Sequence, residues 1–114
     1  MRRHDQTISR ITSKLDQEGL RDYEVSEKIP DDVISIDPNL SSVKIYIPEE
    51  LDGAQYEIDD HIRQVAKFIR INTTFDGKFC ILSLSGTLQQ SQLYRLIKYL
   101  VKEQGFCTIL SREV

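Results

Sequence analysis

Residues 71–84 read INTTFDGKFCILSL, two β-rich runs on either side of Asp76-Gly77. An Asp-Gly pair between such runs is the strongest short-range signal for a β-hairpin, and it predicts a two-residue turn with both residues at positive φ. In the second run Cys80, Leu82 and Leu84 fall on one strand face, because successive side chains point to opposite faces. The stretch therefore predicts two antiparallel strands with one buried face.

Another hairpin is expected upstream of this one. The β-branched runs 33–36 and 43–47 are joined by residues 37–42, which contain the Asp, Pro, Asn and Ser residues typical of turns. In the second run Val43, Ile45 and Ile47 share one face, and Pro48 follows it. These two runs predict a second antiparallel pair.

One helix is expected after each hairpin. Residues 55–69 carry an apolar stripe at helical spacing, formed by Ile58, Ile62, Val65 and Ile69. Residues 88–104 carry a broader stripe, and Thr87 with Gln90 three residues later matches a capping box at its start. A last strand is expected at residues 106–110.

A third helix is expected at residues 5–18, near the N-terminus. Its apolar stripe is narrow and consists of Ile8, Ile11 and Leu15, at i, i+3 and i+7. An isolated helix of this length is marginal in water, so it either docks on the domain or pairs with a second copy. Residues 20–30 are highly charged, and their secondary structure is ambiguous from the sequence.

The element order α-ββ-α-ββ-α-β predicts an α+β fold with a single domain. We expect a mixed, mostly antiparallel sheet of about five strands, two helices packed on it and the N-terminal amphipathic helix. A right-handed crossover through the helix at 88–104 would make strands 78–84 and 106–110 parallel. The expected division is an N-terminal helical arm at 1–30 and a compact domain at 31–114.

Length and composition narrow the classes of protein. A chain of 114 residues fits one domain. No apolar run approaches the roughly 18 residues of a membrane span, and no apolar stretch follows the N-terminal arginines as in a signal peptide. From the missing apolar run we expect no membrane contact. Two cysteines make no disulfide framework, so a reduced, cytoplasmic setting is expected.

Charge is unevenly distributed along the chain. The net charge is -3, but residues 22–60 hold two basic residues against twelve acidic ones, whereas residues 61–114 hold eight against three. Such segregation concerns partners and electrostatic steering rather than fold. It favours docking between oppositely charged surfaces.

The basic residues of the second half are regularly spaced. Arg63, Lys67 and Arg70 lie at i, i+4 and i+7 of one expected helix, and Arg95, Lys98 and Lys102 lie at i, i+3 and i+7 of the other. Two such ridges side by side would suit a phosphate backbone or an acidic partner. Solvated helix surface is the favoured interpretation, and nucleic-acid binding is the alternative.

No set of catalytic or metal-binding residues stands out. Adjacent residues of Asp59-Asp60-His61 point about 100° apart on a helix, so they do not converge on one ion. His4 lies in the N-terminal tail, and Cys80 and Cys107 lie among apolar neighbours where a thiol is inert. We therefore expect no catalytic residue, no metal and no cofactor.

The turn Ser85-Gly86-Thr87 is the one candidate anion site, because free N–H groups at a helix start can hold an anion. It lacks the glycine spacing of a phosphate-binding loop, and a plain capped turn is the favoured interpretation. A small anion- or nucleotide-binding enzyme therefore ranks third among the functions considered.

The leading hypothesis is a small non-catalytic protein-interaction module that associates with a protein partner or with a second copy of itself. In that hypothesis the stripe Ile8, Ile11 and Leu15 forms the contact, and the segregated charges steer docking. Nucleic-acid binding through the two basic ridges is the main alternative.

Overall fold

The computed structural model describes residues 3–51 and 53–111, with side chains from Gln6 onward, so the side chain of His4 and residue Asp52 lie outside the description. The helices are α1 (Arg3–Gln17), α2 (Ala54–Val65) and α3 (Gln90–Lys102). The strands are β1 (Tyr23–Ser26), β2 (Ser35–Asp37), β3 (Lys44–Pro48), β4 (Arg70–Asp76), β5 (Phe79–Ser85) and β6 (Cys107–Leu110).

The six strands form one mixed sheet in the order β1-β6-β2-β3-β5-β4, in the α+β fold that the sequence predicts. The sixth strand is β1, which lies inside the ambiguous segment 20–30. It pairs in parallel with β6, and β2 pairs in parallel with the other side of β6. Strand β6, the last strand among the described residues, therefore lies inside the sheet, between two strands that precede it.

One face of the sheet carries the core. Cross-strand neighbours on this face include Ile36 opposite Ile45, Ile45 opposite Leu82 and Ile36 opposite Ile109. Side chains from all three helices join these residues in a single buried cluster. The expected alternation of Cys80, Leu82 and Leu84 on the buried face is confirmed.

The turn between β4 and β5 differs from the expectation by one residue. Asp76 is the last residue of β4 and pairs with Phe79, so the two turn residues are Gly77 and Lys78. Gly77 has a φ of 58°, and no residue other than glycine has a positive φ in the part of the chain that the structure describes. A positive φ at the first turn residue alone is the pattern of a type II′ turn, which glycine permits.

Both internal helices are shorter than their apolar stripes suggest. The second helix was expected to reach residue 69, but α2 ends at Val65, and the extended backbone of Ala66 turns the chain toward β4. Ile69 is still buried, so its helical spacing from Val65 is a coincidence of two elements packing on the same core.

The start of the third helix also differs from the expectation. The N-cap is Gln89 rather than Thr87, and α3 begins at Gln90. The capping box is formed by Gln89 and Gln92, and the Gln89 N–H donates to Gln92 Oε1 at 2.8 Å. The helix therefore starts with a capping box as expected, but its N-cap residue lies two positions later in the chain.

The N-terminal helix is part of the core. Ile8, Ile11 and Leu15 are all buried, and they belong to the same cluster as the sheet residues. Residues 1–30 also supply β1 to the sheet. Residues 1–30 thus supply both a buried helical stripe and a strand of the sheet, and the division into an arm at 1–30 and a domain at 31–114 stays a prediction.

Candidate functional site

The first basic ridge does not exist as a helical surface. Because α2 ends at Val65, Lys67 lies in the connection after it and Arg70 is the first residue of β4. Arg63 remains on α2, where its Nε lies 2.6 Å from the Oδ1 of Asp59 one turn earlier. This ion pair raises the pKa of Arg63 and partly neutralises the only ridge residue left on the helix.

The second ridge is present, and its three cations converge. Arg95, Lys98 and Lys102 line one surface cavity of about 270 Å³. His61 of α2, together with Tyr99 and Glu103 of α3, completes the lining. The Lys98 ammonium also lies 2.9 Å from Glu18 Oε1, just after α1, so part of the positive charge is balanced within the chain.

The turn Ser85-Gly86-Thr87 does not stand at a helix start. Leu88 and Gln89 separate it from the first residue of α3, and the capping box already bonds donors at that end. Gly86 has a φ of 121°, and a side chain there would come within 3.1 Å of Ile69 Cδ1. The glycine thus permits close packing against Ile69.

The stripe proposed for self-association is turned inward. Ile8, Ile11 and Leu15 pack into the core, so a contact between copies through them would require α1 to leave the domain. Several side chains hold α1 in place. The Tyr94 hydroxyl donates to Glu18, and the Lys14 ammonium lies 4.7 Å from the centre of the Tyr94 ring.

The two cysteines are buried, as the sequence suggests. Burial raises the pKa of the Cys107 thiol far above its ordinary value, so the thiolate is not formed near neutral pH. Among the described residues, no group of three or more His, Cys, Asp or Glu side chains could hold a metal ion. Nor does any described helix have the length and apolar character needed to cross a membrane.

Strand β4 is the edge strand at one side of the sheet. In the part of the chain that the structure describes, β4 pairs with β5 alone. It is the longer of the two edge strands, with seven residues against four in β1. An edge strand of this length presents a row of backbone groups that another strand can pair with.

Hydrogen bonds on β5 fix which groups of β4 face outward. The Leu84 N–H donates to Val43 O at 2.9 Å, so the even-numbered residues of β5 bond to β3. The odd-numbered ones, such as Ser83, bond to β4, where Ser83 lies opposite Asn72. In an antiparallel pair, both backbone groups of a residue point to the same side. The even-numbered residues of β4 are therefore bonded to β5.

The outward backbone groups of β4 thus belong to Ile71, Thr73 and Phe75. Their side chains lie on the helix-bearing face, since Ile71 is opposite Leu84, Thr73 is opposite Leu82 and Phe75 is opposite Cys80. Three N–H donors and three C=O acceptors point away from the sheet. They form a preformed template for an added strand.

Exposed aromatic side chains border this edge. Phe75 is 75% exposed and Tyr56 of α2 is 72% exposed, values high for such large side chains in a small domain. Both line a groove of about 530 Å³ between α2 and β4. The lining consists of Gln55, Tyr56, Asp59, Asp60, Thr73, Phe75 and Leu82.

Sequence reasoning identifies β4 as a strand but misses its position at the edge. The polar run Asn72, Thr73 and Thr74 places polar side chains on both faces, whereas a strand inside a one-sided sheet alternates. That loss of alternation is the signal from which the edge position could have been inferred.

Comparison of the chain with protein-family models, with curated proteins and with solved structures gives no significant match.

Proposed function

We propose that this protein is a non-catalytic protein-interaction module that binds an extended segment of its partner along the outer edge of β4. The observation that carries the proposal is the outward direction of the backbone groups of Ile71, Thr73 and Phe75. Binding by strand addition takes its affinity from such main-chain hydrogen bonds and its specificity from nearby side-chain pockets.

The groove beside β4 supports the same function. A strand added next to β4 would place alternate side chains on the helix-bearing face, toward Phe75 and Tyr56. Burying an exposed aromatic side chain contributes roughly 1.5–3 kcal/mol, so these two residues would add substantially to the backbone bonds. Asp59 and Asp60 line the groove as well, which favours a segment with basic or polar residues there.

A peptide library tests the proposal directly. Random peptides are displayed and selected on the immobilised full chain at a low protein density, and selected peptides are then titrated by fluorescence anisotropy. We expect binding, and in NMR spectra of the complex we expect the largest backbone-amide chemical-shift changes at and around Ile71, Thr73 and Phe75. Thr73→Pro removes an outward N–H without breaking a bond to β5, so it should weaken binding at least about tenfold.

Thr73→Val is the matched control, because it keeps the N–H and the branched shape and loses only the hydroxyl. It should bind selected peptides as the natural chain does. Circular dichroism of both variants checks that they fold. Equal binding by Thr73→Pro, or amide shifts confined to another surface, would overturn the proposal.

Nucleic-acid binding is a second candidate, supported by the convergence of Arg95, Lys98 and Lys102 on one cavity. In this candidate the three cations contact phosphates, and binding weakens steeply with salt. Anisotropy titrations with random single- and double-stranded oligonucleotides at low salt test it. Lys102→Glu should abolish any binding, whereas Lys67→Glu, outside the cavity, should weaken it much less.

A further inference from the structure

We propose that the segment bound at the β4 edge is β4 of a second copy of this chain, paired antiparallel about a two-fold axis at Thr73. This inference rests on the proposed function and names its partner. Pairing two identical edges in this way gives an isologous interface, the commonest arrangement in symmetric dimers. It would join the two six-stranded sheets into one continuous sheet.

The sequence of β4 is self-complementary in this register. With Thr73 opposite its symmetry mate, Arg70 lies opposite Asp76 of the second copy, and the same pair recurs on the other side of the axis. Opposite charges directly across an antiparallel pair stabilise it. Ile71 lies opposite Phe75, so an apolar pair forms on the helix-bearing face.

The backbone groups fit the same register. The residues whose N–H and C=O groups point outward are Ile71, Thr73 and Phe75. Around an axis at Thr73 they oppose one another, with Ile71 facing Phe75 and Thr73 facing Thr73. Every outward group of β4 would therefore gain a partner, because directly opposed residues of this type exchange both bonds.

Neighbouring registers are less favourable. A slip of one residue would put side chains of one face opposite those of the other, so only slips of two residues compete. One such slip places Arg70 opposite Thr74 and loses the charge pair. The other places Arg70 opposite Lys78, which brings like charges together. The charge pattern of β4 and its turn thus selects one register.

Charge reversal tests both the partner and the register. Sedimentation velocity over a series of concentrations gives the dimer dissociation constant of the natural chain. Arg70→Asp and Asp76→Arg each place like charges opposite each other twice, so each should weaken dimerisation by about tenfold. Mixing the two variants restores opposite charges at both sites, so the mixed dimer should recover the natural affinity.

Lys44→Asp is the matched control, since it makes the same charge change as Arg70→Asp at the exposed first residue of β3, away from the β4 edge. It should leave the dissociation constant unchanged. A natural chain that stays monomeric while selected peptides still bind at β4 would overturn the second copy as partner and leave the proposed function standing. A dimer that neither variant weakens would use another surface and would also overturn the inference.

Discussion

The imidazole ring of His61 lies parallel to the phenol ring of Tyr99, with centroids 3.9 Å apart and planes 8° apart. The stack joins α2 to α3 beside the basic cavity. His61 Nε2 is buried and has no hydrogen-bond partner among the described atoms. A proton added at Nε2 would place a charge on a buried atom that has no hydrogen-bond acceptor of its own.

The pH dependence of stability should reveal this histidine. Burial lowers the pKa of His61 below its usual 6.5, and the charge of Arg95 reinforces the shift, whereas a hydrogen bond to the Arg95 backbone and the charge of Glu103 oppose it. The unfolded chain therefore takes up the proton first, and the free energy of unfolding should fall as pH drops below 6.5. Urea unfolding at several pH values and NMR titration of the ring protons measure both effects. His61→Phe keeps a stacked ring and should flatten this pH dependence; an unchanged profile would contradict the assignment.

Truncation of the N-terminal stripe should cost folding stability. Leu15 has no exposed surface, so Leu15→Ala should lower the free energy of unfolding by about 2–5 kcal/mol. Chemical denaturation measures the loss. Ser13→Ala changes an exposed residue of the same helix and should have little effect. If Leu15→Ala left stability unchanged but altered the sedimentation of the native protein, the stripe would be an intermolecular contact.

Gly86 should not tolerate a side chain. Its φ of 121° and the 3.1 Å distance from an added Cβ to Ile69 Cδ1 both oppose alanine. We expect Gly86→Ala to destabilise the fold by about 1–3 kcal/mol. Gly19→Ala provides the comparison, because Gly19 also has a positive φ, of 75°, but has no heavy atom near the added carbon. Equal losses in the two variants would show that close packing at Gly86 is unimportant.

The buried thiol of Cys107 should make the fold sensitive to alkali. Burial raises its pKa well above 9.0, so above that pH the unfolded chain loses a proton that the folded chain keeps. The free energy of unfolding should therefore decrease with pH, by at most about 1.4 kcal/mol per unit from this group. Cys107→Ala removes the contribution, so its stability should fall less steeply with pH. If the free energy of unfolding fell equally steeply with pH in Cys107→Ala and in the natural chain, the Cys107 thiol would not be its source.

Much of the fold follows from local sequence patterns. The alternation of Cys80, Leu82 and Leu84 requires a one-sided strand, and the turn residues at 37–42 bring β2 and β3 together as a hairpin. Helix ends are less well determined, because Ile69 continues the apolar spacing of α2 although the chain has already left the helix. Periodicity records which side chains are buried, not which element buries them.

The candidate site depends on information that local patterns do not contain. Whether β4 lies at an edge depends on strand order, which is set by packing between distant parts of the chain. The same holds for Leu15, whose stripe suits an intramolecular core and an intermolecular contact equally well in sequence. The residues of α3 differ, since Arg95, Lys98 and Lys102 share a helix face whatever the strand order, and their grouping was predicted.

The place of β6 in the sheet constrains how the protein is made. During translation, β1 and β2 are synthesised long before β6 (Cys107–Leu110). Both strands therefore leave the ribosome before the strand that pairs with them exists. A nascent chain cannot complete its sheet until residue 110 has cleared the exit tunnel. Chaperones that shield unpaired strands would act during that interval, and a ribosome stalled before β6 would hold an aggregation-prone intermediate.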